Sequence, residues 1–199
     1  MIYLSYREKL FLKVILAGEA GVGKTSLRRS YLGEGFVTEH LQTIGADFAS
    51  LTKKIQNYSV LFQIWDIAGQ DIFEKVRMMY YKGALGALMV FDAKKISTMK
   101  VLDKWIKELE KGTERGVVPF IIIGNKMVLI TESTRKKIRT QVDTMIKTLN
   151  SLYSEKGFRV EYFETSAKTN ENVSDAFESL GSKIIEFIEY RKQMRRKNV

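Results

Sequence analysis

Short apolar runs alternate with amphipathic segments along most of this chain. Apolar runs of strand length, typical of strands buried in a parallel sheet, occupy residues 10–17, 84–91, 117–123 and 158–163. Apolar residues at helical spacing predict helices after these runs, over residues 23–33, 73–81, 97–111, 131–154 and 172–191. Because strands and helices alternate, the pattern predicts a parallel sheet with right-handed crossovers and helices on both faces.

Two further runs, residues 47–55 and 58–65, show the alternation of a half-buried strand, and Gln56-Asn57 between them predicts a tight hairpin turn. The predicted fold class is therefore α/β, with a six-stranded, mostly parallel sheet, one antiparallel strand and about five helices. In the helix over 131–154 the side chains expected to face inward are Val142, Met145, Ile146, Leu149 and Leu152.

A glycine-rich loop joins the first strand to the first helix, with the sequence Gly18-Glu19-Ala20-Gly21-Val22-Gly23-Lys24-Thr25-Ser26. Its spacing is that of a P-loop, in which glycines let backbone N–H groups wrap a polyphosphate and the following helix directs its positive end at the anion. Lys24 would add a charge at the β- and γ-phosphates, and the Thr25 hydroxyl would ligate Mg²⁺. An ordinary glycine turn between a strand and a helix is the alternative.

A second group of candidates lies on both sides of the hairpin, at the end of its second strand and in the segment before its first strand. Asp66 at a strand end can hold Mg²⁺, and Gly69 lets its own N–H approach the γ-phosphate. Gln70 is the candidate for orienting an attacking water, or else a surface glutamine at a helix start. Thr43 lies in the irregular segment 36–45, where its hydroxyl could complete the Mg²⁺ shell or belong to an ordinary loop.

A third group is suited to binding a purine base. Asn125-Lys126 follows one buried strand, and Ser166-Ala167-Lys168 follows the last one. Amide groups, backbone N–H groups and a lysine stem suit the edges and faces of a purine. The glycine-rich loop, Asp66, Asn125 and Ser166 all fall at the carboxyl ends of strands, where ligands of such sheets bind.

Composition limits the other functions that can be considered. The chain has 199 residues with 45% hydrophobic content, no cysteine and one histidine, so it is expected to form one core without disulfides or a thiolate metal site. No apolar run is long enough to cross a membrane, and an intracellular, cytoplasmic protein is expected. The formal charge is +10 and is dense only over residues 191–197, which predicts a solvated helix end or a peripheral membrane contact. No nucleic-acid platform is evident.

These motifs together resemble the small GTPases of the Ras superfamily, and most of all the Rab branch. The stretches that carry the resemblance are Thr43–Phe48, Trp65–Gln70 and Tyr80–Ala84. The resemblance implies a P-loop GTPase fold over residues 10–190, with an N-terminal extension (1–9) and a basic C-terminal tail (191–199).

The resemblance also implies functional roles. GTP or GDP would bind with Mg²⁺, held by Thr25, Thr43 and Asp66, and the catalytic residues would be Gln70, Lys24 and Thr43. Phe36 matches an aromatic residue near the base, and Ala167 matches the residue whose N–H meets the guanine carbonyl. Effectors, exchange factors and activating proteins would bind residues 36–48 and 66–82, where Phe48, Trp65 and Tyr80 match an aromatic trio presented to effectors; ordinary core packing is the alternative for these three.

The chain departs from the family pattern in three ways. The pattern Asn-Lys-x-Asp is Asn125-Lys126-Met127-Val128 here, and Val128 cannot accept the guanine N–H groups that the aspartate accepts. Guanine binding is expected to weaken by roughly tenfold to a thousandfold, unless Glu132 substitutes. No cysteine is available for prenylation at the C-terminus, so no prenyl anchor is expected. The region between Lys126 and Glu164 is also longer than is usual in the family.

The function expected first is a guanine-nucleotide switch that hydrolyses GTP slowly. No arginine is placed by a motif at the phosphates, and Arg28, Arg29 and Arg77 are expected to be surface or helix residues, so an activator in trans would be needed. A nucleotide-binding scaffold with relaxed base specificity is the second class. A P-loop ATPase or kinase is the third, and Gln70 and the Ser166–Lys168 tract disfavour it.

Overall fold

The computed structural model describes residues 8–36, 43–69, 74–114 and 116–197, with the backbone alone for Glu74 and Lys75. The strands are β1 (Lys9–Ala17), β2 (Ala46–Ile55), β3 (Tyr58–Ile67), β4 (Gly86–Asp92), β5 (Phe120–Asn125) and β6 (Glu161–Glu164). The α-helices are α1 (Lys24–Leu32), α2 (Glu74–Tyr81), α3 (Ser97–Lys100), α4 (Leu102–Gly112), α5 (Glu132–Tyr153) and α6 (Val173–Lys197).

The six strands form one sheet in the order β2-β3-β1-β4-β5-β6. All neighbouring pairs are parallel except β2 with β3, which pair antiparallel from Ala46↔Ile67 to Ile55↔Tyr58. The two-residue turn has Gln56 in the left-handed region at φ 52°, as a tight hairpin turn requires. The predicted α/β fold class, with one antiparallel strand, is confirmed, and the structure places that strand at the sheet edge.

Hydrophobic clusters cover both faces of the sheet. On one face α1 and α6 pack through Leu27, Tyr31, Phe177 and Leu180 against β1, β3 and β4. The opposite face packs against α2, α4 and α5. Continuous burial of β4 and β5 explains their unbroken apolar sequences, since a strand covered on both sides has no polar face.

One predicted helix is interrupted. The segment 97–111 forms α3 and α4 with a break at Val101, whose φ and ψ are −95° and 2°. The Thr98 hydroxyl accepts from the Asp92 N–H at 2.9 Å and donates to the Lys95 carbonyl at 2.7 Å. These bonds hold the short helix α3 against the end of β4, and α4 begins as a separate helix at Leu102.

The last two apolar runs also differ in detail from the prediction. β5 starts at Phe120, directly after Pro119, which has no N–H but whose carbonyl accepts from Ala87 N at 3.1 Å. β6 covers only Glu161–Glu164, because Phe158 is packed edge-on against Phe120 and Phe187 instead of entering the sheet.

The inward face of α5 was predicted incorrectly at Leu152, which is 55% exposed. Tyr153 is buried in its place, stacked on Phe158 at 5.3 Å and edge-on to Phe120 at 5.1 Å. Its hydroxyl reaches Glu110 at 2.9 Å, so a tyrosine can end this face where its polar atom finds a partner.

Helix α6 continues to Lys197, beyond the predicted end at Arg191, and its residues 191–197 are exposed. The basic residues that end the sequence therefore belong to a helix through Lys197. Within the described ranges, every helix is too short or too polar to cross a bilayer.

Candidate functional site

The glycine loop lies between β1 and α1 and is shaped by close contacts with two other loops. Gly23, the residue that caps α1, has φ 99°, and a Cβ there would collide with the Asn125 side-chain amide. A Cβ on Gly69 would collide with the backbone of Glu19 and Ala20. Glycine at these positions is thus required for the loops of the three candidate groups to meet.

Lys24 is buried under the loop that precedes it. Its ammonium donates to the carbonyls of Gly18 at 2.7 Å and Glu19 at 2.9 Å. Burial lowers the pKa of Lys24 to about 8, although Asp66 and Glu19 act in the opposite direction. A polyphosphate in the loop would stabilise the charged form of this amine, because its negative charge would offset the loss of water around the buried ammonium.

The three predicted Mg²⁺ ligands are adjacent. The hydroxyls of Thr25 and Thr43 are 3.1 Å apart, and Thr25 also makes a short hydrogen bond to Asp66 Oδ2. Asp66 Oδ1 is buried and has no hydrogen-bond partner among the described residues. Burial raises the pKa of this carboxyl, opposed by the Thr25 hydrogen bond and by Lys24. A buried oxygen of this kind beside two hydroxyls fits a hard divalent cation.

The base-side residues form a second connected group. The Asn125 amide donates to the Val22 carbonyl at 3.0 Å and its oxygen accepts from Ala167 N at 3.2 Å. The Lys126 ammonium contacts the Gly21 carbonyl and Asp92 Oδ2, each at 2.6 Å. These bonds join the ends of β4, β5 and β6 to the glycine loop, as the predicted position at the strand ends requires.

A cavity of about 900 Å³ lies over these groups. Predicted site residues along its wall are Ala20, Gly21, Gly23, Lys24, Thr25, Ser26, Phe36, Thr43, Gly69, Asn125, Lys126, Ser166, Ala167 and Lys168. Gly18, Glu19, Val22 and Asp66 are outside this described lining; Val22 and Asp66 are fully buried. Gln70 falls outside the described residues, and so does most of the segment 36–45.

The cavity wall also contains residues that sequence reasoning missed. They are Arg29, Ile67, Ala68, Asp92, Lys94 and Leu129. Asp92 is the last residue of β4 and Lys94 follows the strand, so the rule that located Asn125 could have found them. Arg29 faces the cavity from the second turn of α1, and no pattern in the sequence distinguishes it from its neighbours.

Val128 lies at the cavity wall and is 42% exposed. Glu132, the predicted substitute for a carboxylate at this position, is exposed in the first turn of α5 and is not among the described residues of the wall. Asp92 is the acidic residue of the described wall, and it is paired with Lys126.

Two of the three arginines expected at the surface or in a helix are helix residues that are buried. Arg28 in α1 pairs with Asp47 at 2.7 Å, and Arg77 in α2 pairs with Glu108 at 2.9 Å. Both are thus helix residues, as one of the two expected alternatives has it, and each is buried because its guanidinium has a carboxylate partner far away in the sequence.

Comparison with known proteins identifies the family. A sequence model of the Ras family matches residues 13–186. Ras-related protein RABG3b of Arabidopsis thaliana is 36% identical over 177 residues, which cover 87% of this chain and 83% of that protein. Ypt/Rab-type GTPase ypt7 of Pyricularia oryzae is 36% identical over 178 residues, 88% of this chain and 82% of the relative.

Ras-related protein Rab-13 of Mesocricetus auratus is 34% identical over 173 residues, 87% of this chain and 79% of that protein. The matched region runs from β1 into α6 and includes every element that contributes to the cavity. The chain thus belongs to the Ras family, as a Rab-like small GTPase.

Proposed function

We propose that this protein is a Mg²⁺-dependent switch that binds GTP and GDP in the cavity over the glycine loop and hydrolyses GTP slowly. The observation that carries the proposal is the convergence of the Lys24 ammonium, the Thr25 and Thr43 hydroxyls and the unpartnered Asp66 oxygen beneath one cavity. When bound, Mg²⁺ would neutralise charge on the β- and γ-phosphates.

Each residue has one task in this proposal. Lys24 and the loop amides bind the phosphates, and Thr25, Thr43 and Asp66 hold the metal ion. Gln70 orients the attacking water, and Gly69 brings its own N–H to the γ-phosphate. Asn125, Lys126, Ser166, Ala167 and Lys168 bind the base, with Phe36 at its edge.

Slow hydrolysis is inferred from the arginines. Arg28 and Arg77 are paired with Asp47 and Glu108, and Arg29 at the cavity wall lies 3.9 Å from Glu34, so each of the three guanidinium groups has a carboxylate of the chain itself beside it. An arginine that stabilises the charge of the transition state would then come from a partner, and its absence leaves a slow intrinsic rate.

Partner binding is proposed at residues 36–48 and 66–82. Trp65 lies 5.4 Å from Phe48 and 5.8 Å from Tyr80, measured between ring centroids, and Phe48 is 48% exposed. The three rings form one aromatic cluster at the surface, with the Lys13 ammonium 4.4 Å above Trp65. A partly exposed cluster of this kind suits effector, exchange-factor and activating proteins.

The site of action proposed is the cytoplasm, with peripheral contact at a membrane surface. The exposed basic residues of the end of α6 would contact anionic headgroups there.

The nucleotide that co-purifies with the chain, and its turnover in Mg²⁺, test the main proposal. We expect GDP or GTP in the purified protein, slow release of phosphate, and loss of nucleotide in Lys24→Ala. Absence of any nucleoside triphosphate binding in Mg²⁺, or equal binding by Lys24→Ala, would refute the proposal.

A nucleotide-binding scaffold without turnover is the second candidate, favoured by Val128. No unpaired carboxylate in the described wall replaces the missing aspartate. Weak, unselective nucleotide binding with no phosphate release over hours would favour the scaffold, whereas measurable turnover that Gln70→Leu abolishes would favour the switch.

A further inference from the structure

Arg28 is a buried cation one turn after the phosphate-binding end of α1. Its side chain is 8% exposed, and Nη2 donates to Asp47 Oδ2 at 2.7 Å. The other oxygen of Asp47 accepts from the Phe48 N–H at 2.8 Å. Both oxygens of Asp47 therefore accept hydrogen bonds. One bond fixes the backbone at the start of β2, and the other links the start of β2 to α1.

Asp47 occupies a position from which it can affect the metal ligands. It lies directly opposite Asp66 in the β2–β3 ladder, and it follows Thr43 by four residues. Arg28 donates to Asp47 from α1, so its positive charge lies beside one of two acids that face each other across the ladder. Arg28 thus offsets the repulsion between these two neighbouring acids, one of which is a proposed metal ligand.

A second contact restrains the same segment. The Ala68 N–H donates to the Gly45 carbonyl at 2.8 Å, which ties the chain after Thr43 to the chain after Asp66. The backbone bond fixes the two strand ends to each other, whereas the Arg28–Asp47 pair fixes them to α1, where Thr25 is located. Thr25, Thr43 and Asp66 also contact one another directly, but they are the groups proposed to ligate Mg²⁺, whereas the ion pair links α1 to β2 from outside the ligand set.

We propose that Arg28 is a positioning residue for Mg²⁺, which acts through Asp47 to hold Thr43 and Asp66 in place beside Thr25. The proposal rests on the proposed nucleotide- and Mg²⁺-binding function. Groups that orient metal ligands from outside the coordination shell typically change metal affinity by about 10- to 100-fold when they are removed.

The test measures release of a fluorescent GDP analogue from the full chain over a range of free Mg²⁺ concentrations. Arg28→Met and Asp47→Asn are each expected to raise the Mg²⁺ concentration that halves the release rate by about 10- to 100-fold. Release in EDTA should stay within about twofold of wild type, because metal positioning is then irrelevant. Arg28→Lys should recover part of the loss, and Arg28→Met/Asp47→Asn should be no worse than the worse single variant.

Arg139→Met is the matched control, since this arginine forms an exposed pair with Asp143 in α5, away from the cavity. It should leave the Mg²⁺ dependence unchanged. A Mg²⁺ dependence of Arg28→Met equal to that of wild type would overturn the proposal. The proposal would also be overturned if Arg28→Met released the GDP analogue faster than wild type by the same factor in EDTA as in Mg²⁺. That result would mean that Arg28 supports the fold and not the metal site.

Hydrogen exchange separates failure of this proposal from failure of the proposed function. The amides of residues 43–48 should exchange faster in nucleotide-free Arg28→Met than in nucleotide-free wild type, and those of β4 should not. If wild type binds no nucleotide, the proposed function fails and the positioning of Mg²⁺ fails with it. If wild type binds nucleotide with Mg²⁺ but exchange at 43–48 is unchanged in Arg28→Met, only the role of Arg28 is refuted.

Discussion

The guanidinium of Arg77 and the carboxylate of Glu108 form a bidentate pair in the protein interior. Nε and Nη2 of Arg77 donate to the two carboxylate oxygens at 3.0 and 2.9 Å, and the side chains are 0% and 7% exposed. The guanidinium also lies 4.5 Å from the Trp105 ring centroid. This pair joins α2, which begins just after the segment containing Gln70, to α4.

Replacing Glu108 by glutamine should lower the free energy of unfolding by about 3–5 kcal/mol, since it removes the carboxylate charge that is paired with the buried guanidinium of Arg77. Urea unfolding of the nucleotide-bound protein measures the change. Asp103→Asn breaks an exposed pair with Lys107 in the same helix and should cost less than about 1 kcal/mol. Equal costs for the two variants would show that the buried pair contributes no more than the surface pair.

Removing both charges should cost much less than removing one. In Arg77→Met/Glu108→Leu, apolar side chains of similar length replace the ion pair, and such replacements are often neutral or stabilising. We expect the double variant to be more stable than Glu108→Gln in the same urea experiment. If the double variant is the less stable of the two, packing around Arg77 matters more than its charge.

The stability of the nucleotide-free protein should depend on pH through Lys24. Its pKa falls from 10.5 to about 8 on folding, so between these values the unfolded chain binds a proton that the folded protein lacks. The contribution of Lys24 to the unfolding free energy therefore rises with pH across this range, by up to about 3 kcal/mol. Below the lower value both states are charged, so the full cost of burying the charge is present and the unfolding free energy no longer changes with pH through Lys24.

The measurement compares urea unfolding of wild type and Lys24→Met, both without nucleotide, near pH 7 and near pH 10. Subtraction removes the titration of the other groups. Wild type should gain stability relative to the variant at the higher pH. A difference that is the same at both values, or that shrinks with pH, contradicts the lowered pKa.

Val128→Asp should restore selective guanine binding. The new carboxylate could accept the two N–H groups of guanine, and charge-assisted bonds of this kind strengthen binding by roughly tenfold to a thousandfold. Titration of GTP, ATP and XTP against both proteins tests the effect, which should be confined to GTP. Leu129→Asp places the same charge one residue further along the cavity wall and should give a smaller gain. If the wild type bound GTP with nanomolar affinity and rejected ATP and XTP, Val128 would not weaken guanine recognition.

The basic end of α6 should bind anionic vesicles in a salt-dependent way. Arg195, Arg196 and Lys197 are exposed, and each basic residue near such a surface contributes about 1 kcal/mol. Changing all three to glutamine should therefore weaken binding to phosphatidylserine vesicles by roughly a hundredfold. The same change at Lys136, Lys137 and Lys147, exposed lysines of α5, is the matched control and should have less effect. Binding that is insensitive to salt would exclude this electrostatic mode.

Local patterns were sufficient for much of the fold. The unbroken apolar sequence of β4 predicts a strand covered on both faces, and Gln56-Asn57 predicts the hairpin, because each depends on neighbours in the sequence. The break at Val101 was not predictable in this way, since it depends on Thr98 binding the backbone at the end of β4. Tyr153 was missed because its partners Phe120 and Phe158 are determined by how the elements pack.

The same distinction applies to the site. The glycine loop and Asn125-Lys126 could be located because their spacing and their position after strands follow from phosphate and base chemistry. The burial and ion pairing of Arg77 could not be predicted, since its partner Glu108 lies 31 residues away and on another helix. The role of Arg28 could not be predicted from the sequence either, because arginines are common in surface helices. What distinguishes Arg28 is its ion pair with Asp47, which only the fold brings close.

The β2–β3 hairpin has a mechanical consequence. One end of its ladder is the tight turn at Gln56-Asn57, and the other end carries the segments of Thr43 and Gly69. Since ten successive residue pairs join the two strands, they move as one stiff ribbon. A force applied at the turn would thus be transmitted along the ribbon and would displace the segments of Thr43 and Gly69 together.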